Sequence, residues 1–174
     1  MGQYNYYGGS IINPPIDTSK IAKPINFSPE ILKQTGFCFP VVISTASADN
    51  QVPGARAPNM ISLMAHFDTG TNDTIIDVSI PRKLGLSSIG KKYRDTGGGR
   101  IESANYVIDL SFPNTTLMPF HNLSVGTCAL PFKLEENELN PDNCKNFGML
   151  IGRDIMSRWT IIWNGPTSTI IISD

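Results

Sequence analysis

Apolar residues in this chain come in short runs, many of them β-branched, broken by glycine, proline and polar clusters. That pattern predicts strands and turns rather than long amphipathic helices. Residues 37–45 (FCFPVVIST) and 59–67 (NMISLMAHF) are two such runs on either side of a loop rich in glycine, proline and polar residues, and they make a wide hairpin. From Thr74 the run TIIDVSI predicts a further strand, and SIPRKLGL a helical turn with Ser79 as cap, Pro81 near its start and Gly85 at its end. LSSIGKKYR and RIESANYVIDLSF then flank DTGGG, where Gly97, Gly98 and Gly99 supply the positive φ that a hairpin turn needs. Residues 148–173 read as apolar strand, short helix, strand, Asn-Gly turn and final strand. The earlier segment SPEILKQTG predicts a helix of two turns at most, with Ser28 as N-cap, Pro29 at the first helical position, Glu30 in the first turn and Gly36 as terminator. Many short strands and little helix together predict an all-β protein with a closed or barrel-like sheet.

At 174 residues the chain has room for one domain with a real core, and not for two. Residues 1–27 carry tyrosine, glycine, asparagine and proline without a period and read as an extended arm lying along a surface. A net charge of −1 gives no basic face for nucleic acid. The longest apolar runs fall far short of the roughly 20 residues that span a bilayer, so no membrane segment is expected in this chain. The opening MGQYNYYGGSIINPPI lacks the positive and apolar regions of a signal peptide. Sequons begin at Asn26, Asn72, Asn114 and Asn122. A glycan on Asn72 would obstruct its neighbour Asp68, which weighs against a secretory route and slightly favours the cytoplasm.

Cys38, Cys128 and Cys144 form neither a metal-ligand spacing nor an even disulfide framework. Buried or free thiols account for them. In an oxidising compartment a bridge from Cys128 to Cys144 would close a loop and stabilise by about 3 kcal/mol on the chain-entropy argument. His66 and His121 are lone residues, better explained as packed or exposed than as catalytic.

Candidate chemistry centres on Asp-Thr-Gly, which occurs at Asp68 and again at Asp95. Asp68 follows the mostly apolar MISLMAHF and precedes TGTNDTIIDV, so its carboxylate emerges from a strand end on a tight turn between apolar walls. Partial desolvation and backbone N–H donors prepare such a group for acid–base work. Asp95 follows Lys91, Lys92 and Arg94 and precedes three glycines, a solvated hairpin tip where a carboxylate keeps an ordinary character. The tripeptide alone is a common turn, so position has to add the rest.

The addition comes in GMLIGRDIM. An apolar trio followed by Gly-Arg-Asp and a helix resembles the second signature of retroviral-type aspartic proteases, the retropepsins. Their first signature is similar to AHFDTGTNDTIIDV, and KKYRDTGGGRIESANYVIDL stands where the family has a glycine-rich flap hairpin. The likeness runs from residue 37 to roughly residue 172. It implies a single-domain, retropepsin-like closed β-barrel over residues 37–174, with a flap and one short helix near the C-terminus, and residues 1–36 as an arm with a short helix. By the same resemblance Asp68 is the catalytic aspartate, Thr69 interlocks with its twin across a dimer, and Gly70 brings backbone close to substrate. Thr71 stands where a hydroxyl donates to Asp68. Gly152, Arg153 and Asp154 form the second signature, and Thr96, Gly97, Gly98 and Gly99 the substrate-binding flap. Retroviral members commonly pair the arginine of that signature with an aspartate two residues after the glycine. That position here is Asn72, which leaves Asp73 or Asp154 to serve Arg153.

Hydrolysing a peptide bond through a bound water needs one carboxylate to take the proton and a second, protonated one to hold the carbonyl oxygen. Asp68 cannot do both, and Asp95 has no apolar-Gly segment of its own to complete a second site. The implied working unit is a homodimer acting on a polypeptide substrate, with one site on the two-fold axis and no metal or other cofactor. The alternative keeps the fold without the chemistry: a catalytically silent dimerisation or peptide-binding module, its cleft occupied by the arm. An unrelated β-barrel leaves GMLIGRDIM unexplained. A phosphate loop at DTGGGR lacks the Lys-Ser/Thr and the helix it needs.

Overall fold

The computed structural model describes residues 25–26, 29–46, 59–96, 99–136, 139 and 145–174. Most of the arm, Ser28, Gly97, Gly98 and Cys144 lie outside the described residues, and with them the Cys128–Cys144 bridge and the tip of the DTGGG turn. The elements in chain order are β1 (Ile25–Asn26), α1 (Pro29–Thr35), β2 (Cys38–Thr45), β3 (Met60–Phe67), β4 (Ile75–Asp77), α2 (Ile80–Leu84), β5 (Gly90–Thr96), β6 (Gly99–Ser111), β7 (Phe120–Cys128), β8 (Met149–Ile151), α3 (Arg153–Met156), β9 (Thr160–Asn164) and β10 (Thr169–Ser173).

The protein is an all-β, single-domain closed barrel. Its larger sheet runs β2-β3-β8-β4-β7-β6-β5, and β2 also pairs with β6, which closes the ring and leaves β5 outside it. β2 and β3 form the antiparallel pair expected from their sequences, with Val41 opposite Leu63. Their alternation places Phe39, Val41, Ile43, Leu63 and Ala65 inside the barrel with Ile108, Leu110 and Met149, all buried in one cluster. Burying each large side chain of this kind contributes about 1.5–3 kcal/mol. A smaller sheet, β1-β10-β9, adds Ile170 and Ile172 to the same core. No helix among the described residues is long and apolar enough to cross a membrane.

Local signals set the element ends. α1 stops at Gly36, whose φ of 73° places it in the left-handed region that glycine adopts without strain. α2 stops in the same way at Gly85, φ 71°. Its start differs from expectation: Ser79 occupies the N-cap but makes no capping hydrogen bond. The Ser79 hydroxyl instead donates to Asp77 Oδ1 at 2.6 Å. That carboxylate, 4% exposed, also accepts from the Ser79 and Leu130 amides, which turns the chain and ends β4 after three residues, short of the full TIIDVSI run.

Candidate active site

β3 delivers Asp68. Phe67, the last residue of the strand, is held by rings at 4.3 Å from Phe37, 5.2 Å from Phe39 and 6.0 Å from Trp159. β8 runs parallel to β3 with Ile151 opposite Phe67, so the second signature begins beside the first. The Asp68 amide donates to the Ile151 carbonyl at 3.1 Å, and the Thr71 amide to the Asp68 carbonyl at 3.2 Å. The carboxylate is half-buried and accepts from the Gly70 amide at 2.8 Å. A Cβ at position 70 would lie 2.9 Å from the same Oδ1, so glycine lets the turn close onto the carboxylate.

Asp68, Thr69, Gly70, Thr71, Gly152, Arg153 and Asp154 therefore come together around one turn, though with different partners from those expected. The Thr71 hydroxyl donates to the Asp73 carbonyl at 3.1 Å, away from Asp68. Arg153 donates to the Thr69 carbonyl and to the Asn72 side-chain oxygen. Asn72 thus fills with a neutral acceptor the place where retroviral members have an aspartate, and neither Asp73 nor Asp154 serves Arg153. Asp154 accepts instead from the Thr74 hydroxyl at 2.7 Å, the Thr74 amide at 2.9 Å and the Ile155 amide at 2.9 Å. The fully buried Thr74 oxygen in turn accepts from the Gly152 amide at 3.1 Å. Thr74 was not singled out in the sequence. The signal lay in the Thr that follows the Asp-Thr-Gly turn, just before the apolar run.

The β5–β6 hairpin contributes the other wall. Asp95 pairs with Arg100 and Thr96 with Gly99, whose φ is 112°. Asp95 is thus a strand residue one position short of the hairpin's last pair, and it is exposed. Cross-strand Lys91 meets Glu102 at 2.8 Å, and that contact raises the Lys91 pKa above the usual lysine value. Tyr93, Arg94 and Asp95 line one cleft with Asp68, Thr71 and Cys128, about 620 Å³ in volume. That volume suits a segment of ligand. A second cavity of 530 Å³, lined by Ile80, Phe132 and Leu134 among others, contains none of the candidate residues.

Arg94 is the main departure from the solvated hairpin read in the sequence. Its side chain is 9% exposed, donates through Nη2 to Asn105 at 2.9 Å, and lies 3.5 Å from Asp73, which also holds Lys92 at 2.8 Å. Gly126, an isolated glycine within β7, was the available signal, since such glycines mark close approach to the backbone. His66 stacks on Phe147 at 5.2 Å, and His121 sits 3.1 Å from Asp109 on the barrel strand β6. Cys38 and Cys128 form no disulfide among the described residues. Among the described residues no group of three or more His, Cys, Asp or Glu side chains is placed to hold a metal.

This is a closed β-barrel with an aspartate at a strand end facing a hairpin-walled cleft. No family model and no curated protein matches the chain. Solved structures similar to it include two of known type. One is a retropepsin-like aspartic protease from Rickettsia conorii, 14% identical, matched over 87% of this chain and 89% of that one with a TM-score of 0.46. The other is the retroviral protease-like domain of Ddi1 from Leishmania major, 13% identical, matched over 74% and 80% with a TM-score of 0.39.

Proposed function

We propose that the protein is an aspartic endopeptidase that works as a homodimer, with Asp68 of each copy meeting on a two-fold axis. The observation that carries this reading is the Asp68 carboxylate, fixed by the Gly70 amide at 2.8 Å and opening on the cleft walled by β5. Two carboxylates brought close together cannot both ionise, so the dyad shares one proton and titrates as a pair. The ionised member takes a proton from water, whose oxygen bonds to the peptide carbonyl carbon. The protonated member donates to the carbonyl oxygen; the carbon–nitrogen bond then breaks as the leaving amine gains the proton taken from water and the carbonyl oxygen returns its proton to the dyad. The substrate lies extended, its main chain bonded to the hairpin and to Gly70, with side chains alternating into pockets.

In this reading residues 37–174 are the catalytic domain and residues 1–36 the arm. The β5–β6 hairpin, including Thr96, Gly97, Gly98 and Gly99, serves as a flap, and Thr69 interlocks with its counterpart in the second copy. The test is hydrolysis of a peptide library by the wild-type protein and by Asp68→Asn. Cleavage that vanishes in the variant supports the peptidase. Peptide binding without cleavage in both proteins would instead favour the silent peptide-binding module.

A further inference from the structure

The cleft holds a buried cation that the peptidase chemistry does not use. Arg94 projects from β5, its Nη2 bonded to Asn105, while Nε and Nη1 are buried and meet no acceptor among the described residues. A guanidinium is always charged and carries donors only, so buried nitrogens without partners are unfavourable until an acceptor arrives. The nearest carboxylate is also shared. Lys92 at 2.8 Å and Arg94 at 3.5 Å share the same oxygen of Asp73, two cations on one carboxylate. Lys92 is largely exposed, so water satisfies it, but Arg94 has no such recourse.

The barrel is shaped to keep the guanidinium there. A Cβ at Gly126 would fall 2.4 Å from Arg94 Cζ and 2.6 Å from Nε, so only glycine at this point of β7 lets the group lie on the backbone. Asp68 and Arg94 line the same cleft. A substrate spanning it from Asp68 passes the Arg94 side chain.

We infer that Arg94 is a specificity-determining residue that binds the carboxylate of an aspartate or glutamate side chain in the peptide substrate. This rests on the peptidase reading above. A backbone carbonyl of the substrate is the competing acceptor. The carboxylate is favoured because charge-assisted hydrogen bonds are the stronger kind.

The test uses peptide pairs differing only by Glu against Gln at each position flanking the cleaved bond, with kcat/KM measured for the wild-type dimer. Glu should be preferred about tenfold or more at one position. Arg94→Met should bring that ratio close to one. Gly126→Ala, which displaces the guanidinium while keeping its charge, should lower it in a protein that retains Arg94, and thermal melting identifies any variant that fails to fold. Equal rates for Glu and Gln at every position in the wild type would overturn the inference while leaving the peptidase intact. So would a Glu preference unchanged in both variants. Should the wild type cleave nothing, the peptidase reading fails by itself. The same peptide pairs titrated calorimetrically into Asp68→Asn would then still decide on Arg94: tighter Glu binding that Arg94→Met abolishes supports it, and equal binding refutes it.

Discussion

Two aspartates share one tripeptide, yet their surroundings separate them. Asp68 is half-buried and locked by Gly70, whereas Asp95 is exposed in a hairpin strand. Asp68→Asn should abolish peptide hydrolysis and Asp95→Asn should leave most of it; equal losses in a steady-state assay would remove Asp68 from its role. Asp154 acts differently, through Thr74. Asp154→Ala strands the buried Thr74 amide and hydroxyl, and unfolding by denaturant should show a loss of about 2–4 kcal/mol. Asp154→Asn keeps one acceptor oxygen and should cost less, and equal midpoints for wild type and Asp154→Ala would refute this account. The placement of Asp68 at a strand end was legible in the sequence because a strand end and a tight turn are local features. The partners of Arg153 and Asp154 were not, because Asn72 and Thr74 reach them from the turn between β3 and β4, and no local pattern encodes that β8 inserts between those two strands.

At the scale of elements, most strands followed from apolar runs and glycine punctuation, and α1 and α2 end at the glycines that the sequence marked. β7, whose FHNLSVGTC is largely polar, did not follow, and neither did the order of strands in the sheet. What also escaped was side-chain competition. Asp77 took the hydroxyl that should have capped α2, and so shortened β4. The β5–β6 hairpin was legible as a hairpin, but its cargo was not, since burial of Arg94 depends on Gly126 in a strand distant in sequence. Gly99 offers an element-scale test. It adopts φ 112°, and a Cβ there would meet no described atom within 4 Å, so Gly99→Val adds backbone strain of about 1–3 kcal/mol without a clash. If the hairpin closes over substrate, Gly99→Val should depress kcat/KM well below the wild-type value at a temperature where melting shows the variant still folded. Wild-type kcat/KM in Gly99→Val would refute a flap role.

For the whole molecule, the cleft brings Asp68 together with two other acidic side chains of the same chain, Asp73 and Asp95. The other acidic side chains of the cleft are not equivalent: Asp73 is committed to Lys92 and Arg94, and Asp95 is exposed. Two-carboxylate hydrolysis therefore requires a second copy, and symmetry makes the requirement measurable in a mixture. When wild-type protein exchanges subunits with an equal amount of Asp68→Asn, only dimers with two intact aspartates retain activity, and the rate per total dimer should fall to about a quarter. A chain active by itself would instead retain about half, the fraction of intact chains, whatever the mixing. Dilution separates the same alternatives independently. Specific activity should fall as sedimentation reports dissociation to monomers, whereas a monomer with undiminished specific activity would refute the shared site.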